Sequence, residues 1–190
     1  MPLTDMEIYA KENFVPIIRK DNIEYLEELI KKNNIKTILE LGSAIGYSAI
    51  RMALVNKDVK IITIERDLNM YTQAIKNIKE MNLENQITVI FDDIFNVEIK
   101  DKFDLIFIDA AKAQYIKFFN KFKDNLNDDG FIISDNLELL DLQKLTQSKR
   151  SKRLISKMNE YKAFLNSLEE YETEYLLIGD GFAISKKKSI

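Results

Sequence analysis

From Thr37 onward, short apolar runs alternate with amphipathic stretches almost to the end of the chain. The runs at 37–41, 60–65, 86–91, 103–109 and 130–134 have cores such as Ile-Ile-Thr-Ile and Leu-Ile-Phe-Ile, apolar on both faces. Such strands belong inside a parallel sheet, where helices cover both sides. The stretches between them, 46–54, 68–81 and 113–125, place apolar residues at helical spacing, with Asn82 and Asn127 as stops. Strand and helix in strict alternation predict a doubly wound α/β fold.

Beyond Asp135 the pattern changes to a polar loop, a long basic helix over 149–168, and two strands at 174–178 and 181–186 joined by Gly179-Asp180-Gly181. The expected architecture is therefore a Rossmann-like sheet of seven strands, mostly parallel, with an antiparallel C-terminal hairpin strand. Residues 5–32 read as two helices split near Pro16, leading into the first strand. A length of 190 residues suits one domain over 1–190 with a single core.

Composition narrows the chemistry. With no cysteine and no histidine, thiolate nucleophiles, disulfides and the commonest general base are all absent, so carboxylate, amide, lysine and hydroxyl groups remain. A metal would need hard oxygen ligands, pointing to magnesium, calcium or manganese. No run approaches the roughly 18 apolar residues that span a bilayer, so a cytoplasmic protein with no membrane partner is expected. Net charge is −3, yet from Lys144 to Lys162 there are seven lysines and arginines against one acid, Glu160. Lys149, Arg150, Lys152 and Arg153 are the core of that patch and candidate contacts for nucleic-acid phosphates; an ordinary solvated helix face would look the same.

The run from Ile38 to Ser48 puts Glu40 in a strand end, Gly42 and Gly46 in a tight turn, and Ser48 at a helix start, so backbone amides can meet a ligand closely. Glu65 ends the next strand, where it can accept from ribose hydroxyls. That arrangement would serve NAD too, but the glycine spacing departs from G-x-G-x-x-G. After the third strand, Asp92-Asp93 offers an adenine contact, with Asp93 the better candidate, or simply a solvated turn. At the ends of the fourth and fifth strands Asp109, Asp135 and Asn136 can converge, as ligands do at the carboxyl edge of parallel strands. Two carboxylates and an amide suit a hard cation, which would make a bound hydroxyl nucleophilic without histidine. Lys112 would then act as the base; without a cation it reads as a solvated lysine at a helix start.

The segment Glu40 to Ala53, Ile-Glu-Arg at 64–66, Phe-Ile-Asp-Ala-Ala-Lys at 107–112 and Ser-Asp-Asn at 134–136 together resemble the metal-dependent O-methyltransferases related to catechol O-methyltransferase. Within that group, the tails from Lys149 and from Gly179 are similar to the bacterial enzymes that convert wobble 5-hydroxyuridine of tRNA to 5-methoxyuridine. The resemblance implies S-adenosylmethionine held by Glu40, Gly42, Ser48, Glu65, Asp93 and Asp109. It further implies Mg2+ on Asp109, Asp135 and Asn136, with Lys112 and Asp109 catalytic, and a homodimer acting on the tRNA anticodon stem-loop. The chain departs from the family in a short N-terminal helical region and in Asp92, where glycine is usual. A catechol-type enzyme for small molecules, a silent adenosine-ligand module and an NAD-linked dehydrogenase stand as rivals.

Overall fold

The computed structural model describes residues 2–137 and 149–188. Lys144, counted in the basic segment, lies outside them, as does the side chain of Arg150. Seven strands, β1 (Thr37–Leu41), β2 (Lys60–Glu65), β3 (Ile87–Phe91), β4 (Phe103–Ile108), β5 (Leu126–Ser134), β6 (Tyr171–Leu176) and β7 (Phe182–Lys187), form one sheet in the order β3-β2-β1-β4-β5-β7-β6. The first five are parallel, and β7 runs against both β5 and β6. This is the expected doubly wound sheet with its reversed hairpin strand. Strand order turns back at β1 and β4, and a crevice opens at the carboxyl ends there.

Both faces of the sheet are covered, as the apolar strand cores require. On one face, Leu26 and Ile30 of α2 (Lys20–Lys32) and Ile50 and Met52 of α3 (Tyr47–Leu54) pack with Ile38, Leu105 and Phe107. On the other, Phe118, Phe119 and Phe122 of α5 (Tyr115–Phe122) and Tyr161 and Leu165 of α6 (Lys149–Asn166) meet Leu39, Ile106 and Ile132. Successive strand residues thus enter opposite cores. The helices α1 (Leu3–Glu12) and α4 (Leu68–Glu80) complete the layers. Among the described residues, no helix is long and apolar enough to cross a membrane.

Three boundaries differ from the sequence pattern, each for a local reason. Asn82, at φ +57°, follows the end of α4 as expected, but Asn127 lies inside β5. The polar run Asn127-Asp128-Asp129 looks like a turn, yet Leu126 pairs with Phe103 and an irregularity in register absorbs the extra residues before Phe131 pairs with Leu105. The stretch 113–125 is helical only over α5, flanked by 3₁₀ turns at Lys112–Gln114 and Lys123–Asn125. The hairpin strands begin at Tyr171 and Phe182, because the charged residues of β6 alternate with half-buried Thr173 and Tyr175 rather than ending the strand.

Candidate active site

The loop between β1 and α3 is shaped by its glycines. Gly42 adopts φ +99°, and a Cβ there would collide with the carbonyl oxygen of Asp109, so only glycine brings the two strand ends this close. Gly46, at φ +78°, opens α3. From below, the fully buried Asn77 donates to the Ile45 carbonyl at 2.8 Å and fixes the loop to α4. Ser43 in the same loop is 3% exposed, and its hydroxyl has no partner. A buried hydroxyl left open beside the half-buried backbone of Gly42 and Ala44, which line the cavity, fits a ligand with hydrogen-bonding groups.

The acids around this loop have distinct jobs. Glu40 is fully buried beneath the cavity rather than on its wall; it accepts hydrogen bonds of 2.5 Å from both Ser48 Oγ and Thr63 Oγ1. Burial pushes its carboxyl up to about 7, against the two hydroxyls. Glu65 does line the cavity and holds the loop, accepting from the backbone N–H of Ala44 (2.9 Å), Arg66 (2.9 Å) and Asp67 (2.8 Å). Asp93 lines it too, while Asp92 does not. The Phe95 backbone N–H and the Arg66 guanidinium hold the Asp93 carboxyl below the usual range.

Asp109 and Asp135 follow directly on the neighbouring strands β4 and β5. The Asp109 N–H donates to Leu41 O and the Asp135 N–H to Ile108 O, each at 3.1 Å, so both carboxylates emerge at the same edge. Asn136 takes φ +64°, a left-handed conformation that asparagine tolerates, and its Nδ2 lies 3.5 Å from Asp109 Oδ1. Burial raises the Asp109 carboxyl, Asp180 adds to the rise, and Lys112 opposes it. Burial and the charge of Asp109 likewise push Asp135 up to about 8. Asp135 is buried and Asp109 half-buried; once both ionise, two carboxylates face one lysine, an excess of negative charge that fits a divalent cation. Among the described residues no three acidic side chains gather into such a site, so the set is two carboxylates and an amide.

These groups share one cavity of about 560 Å³, with Gly42, Ser48 and Glu65 on one wall and Asp109, Lys112, Asp135 and Asn136 on another. The structure thus brings together every sequence-predicted ligand and catalytic residue except Glu40, which lies one layer below. A third wall was not legible in the sequence. Arg19, just before α2, pairs at 2.7 Å with Asp180 in the β6–β7 turn, and both line the cavity. Asn22, fully buried in α2, donates to Asp135 Oδ1 at 2.7 Å. Only the Gly179-Asp180-Gly181 turn hinted at this region, and nothing in sequence spacing ties residue 22 to residue 135.

The basic helix α6 packs against the 3₁₀ turn that carries Lys112. Tyr161 fastens it to the sheet through a 2.7 Å hydrogen bond with Ser134 and to α5 through an edge-on contact with Tyr115. Lys149, Lys152 and Arg153 are exposed in its opening turns. Lys149 lies 12 residues before Tyr161, which is about 18 Å along a helix axis at its regular rise.

A family profile described as O-methyltransferase matches residues 6–188. A flavonoid 3',5'-methyltransferase of Vitis vinifera is 27% identical over 179 residues, which take in 86% of this chain and 75% of that protein. A Staphylococcus aureus structure, provisionally described as a caffeoyl-CoA O-methyltransferase, superposes with a TM-score of 0.90 at 34% identity, covering 99% of this chain and 93% of the other. A Podospora anserina methyltransferase solved with S-adenosylhomocysteine (SAH) bound has the same fold, with a TM-score of 0.86 at 20% identity over 100% of this chain and 89% of that one.

Proposed function

We propose, for a chain that belongs to the O-methyltransferase family, that it transfers the methyl group of S-adenosylmethionine to an oxygen held at a hard divalent cation, and that the acceptor is wobble 5-hydroxyuridine in tRNA. The observation that carries the reaction is the single cavity in which the Gly42 loop faces the Asp109, Asp135 and Asn136 edge, with Lys112 between them in sequence and lining the same wall. S-adenosylmethionine supplies an electrophilic methyl on a sulfonium, and SAH in the Podospora anserina protein supports this choice. A magnesium ion on Asp109, Asp135 and Asn136 would make the acceptor hydroxyl acidic enough to react at neutral pH.

The chain's own residues then have positional work. The backbone around Gly42 and the Ser43 hydroxyl bind the methyl donor, and Glu65 and Asp93 bound the nucleoside end of its pocket. Lys112 bears electrostatically on both Asp109 and Asp135 and is the amine placed to hold the acceptor's proton at Nζ. Confinement of donor and acceptor in one cavity would supply the acceleration that orientation can give. For the acceptor, the supporting feature is α6. Its exposed Lys149, Lys152 and Arg153 come after the cation edge in the chain and begin a helix packed on the Lys112 turn. Basic side chains there would engage stem-loop phosphates.

A second reading, methylation of a small phenolic acceptor, is favoured by the flavonoid-methylating relative in Vitis vinifera. One assay separates the two. Purified protein is incubated with S-adenosylmethionine, Mg2+ and either tRNA containing 5-hydroxyuridine or catechol, with and without chelator, and the methylated products are read by mass spectrometry. Chelator-sensitive appearance of 5-methoxyuridine is the expected result; conversion of catechol but not tRNA moves the assignment to small molecules.

A further inference from the structure

Asn22 lies in the first turn of α2, fully buried beside Ile23 and Leu26. Its Nδ2 donates to Asp135 Oδ1 at 2.7 Å, and the Asn136 backbone N–H reaches the same oxygen at 2.6 Å. The far end of the amide is unusual: Oδ1 is buried with no partner and sits against Gly179 in the β6–β7 turn, where any Cβ would overlap it. Gly179, at φ +53°, therefore makes the seat for the Asn22 side chain.

This orientation of the amide suits an ionised Asp135, the form that would hold a cation. Turned over, its oxygen would face a carboxylate oxygen, acceptor against acceptor. As it stands, an amide oxygen goes unsatisfied in a buried site, a loss that an apolar side chain of the same size would avoid. What asparagine adds over such a side chain is the donor aimed at Asp135.

We propose that Asn22 is a positioning residue for the cation site. Together with the Asn136 N–H it occupies Oδ1 of Asp135, fixes the rotation of that carboxylate and leaves Oδ2 as the oxygen for a cation. Asn22 also links the site to the hairpin, because the amide can hold this position only while Gly179 keeps its place. Groups that orient a ligating side chain in this way typically change metal affinity by about 10- to 100-fold when removed. The inference rests on the cation reading of Asp109, Asp135 and Asn136, and its test separates the two.

Mn2+ binding to the full chain, followed by electron paramagnetic resonance, is compared for wild type and Asn22→Leu, alongside calorimetric affinity for SAH. The expected result is Mn2+ binding weakened by about 10-fold or more, with SAH affinity within twofold of wild type. Should the leucine variant fail to fold, Asn22→Ser asks the same question with a shorter side chain. Unchanged Mn2+ affinity in a folded variant overturns the positioning role and spares the cation site. Parallel loss of Mn2+ and SAH assigns Asn22 a merely structural part and overturns it as well. A wild-type protein that takes up no Mn2+ overturns the cation reading and this inference together.

Discussion

Ser48 donates a 2.5 Å hydrogen bond to Glu40, and the pair stands between the donor loop and the interior of the sheet. Glu40 is fully buried, accepts from Thr63 on its other oxygen, and has its carboxyl pushed up to about 7 from its ordinary value of 4.5. An acid whose folded pKa is raised destabilises the fold once it ionises. Its penalty is absent below the unfolded value near 4.5, grows as pH rises toward 7, and is complete above that. Glu40→Gln is therefore expected to gain stability relative to wild type between pH 5 and pH 8, by on the order of a few kcal/mol at the upper end. Thermal melts of both proteins across that range measure it; parallel pH profiles would show that Glu40 does not titrate in this window.

Asp135 leads to an opposition between stability and function. Burial and the neighbouring Asp109 raise its carboxyl to about 8, so at higher pH the cation-free fold carries two repelling charges. Asp135→Asn removes one of them and keeps an oxygen to accept from Asn22 and from the Asn136 N–H. In chelator at pH 9 the variant is expected to be more stable, by on the order of a few kcal/mol, and to melt several degrees higher. The same variant should gain nothing from added Mg2+ and should lose methyl transfer. Differential scanning fluorimetry with and without Mg2+, paired with a methyl-transfer assay, reads both effects.

The sheet was legible because Ile-Ile-Thr-Ile and Leu-Ile-Phe-Ile could only be strands covered on both faces, and the carboxyl-edge rule then placed Asp109, Asp135 and Asn136 together. Local chemistry carried those inferences. The Arg19–Asp180 wall and the Asn22 contact behind it were not legible, since α2 and the hairpin meet Asp135 only through packing, which no periodicity encodes. Glu40 shows a further limit. A carboxylate at a strand end looks like a ligand contact, but in β1 alternate side chains point to opposite faces, and the adjacent hydroxyls of Ser48 and Thr63 capture this one. The start of β5 was hidden by Asn127-Asp128-Asp129, polar residues that a register irregularity accommodates within the strand.

Gly42 tests the donor loop. Alanine there meets two obstacles, a φ of +99° and a clash with the backbone oxygen of Asp109, which cannot swing away as a flexible side chain would. Strain at such a position is on the order of 1–3 kcal/mol before the clash is counted. Gly42→Ala is expected to lower unfolding free energy by at least that amount in urea and to weaken SAH binding by tenfold or more in calorimetry. A folded variant with native affinity would mean that the ligand does not approach this backbone.

Charge on α6 tests the acceptor. Lys152 and Arg153 are exposed near the start of a helix that packs on the Lys112 turn, away from the donor loop, so reversing both charges leaves the reacting groups in place. If they touch phosphates, Lys152→Glu with Arg153→Glu raises KM for tRNA by tenfold or more with kcat little changed. The log–log dependence of binding on salt should also flatten by about 1–2 units, as expected for two lost phosphate contacts. A small phenol has no phosphate for these side chains to grip, so turnover of catechol by the same variant should stay within twofold. Steady-state kinetics with both acceptors at two salt concentrations decides the matter, because a structural defect in α6 would depress both activities, whereas a lost RNA contact depresses only one.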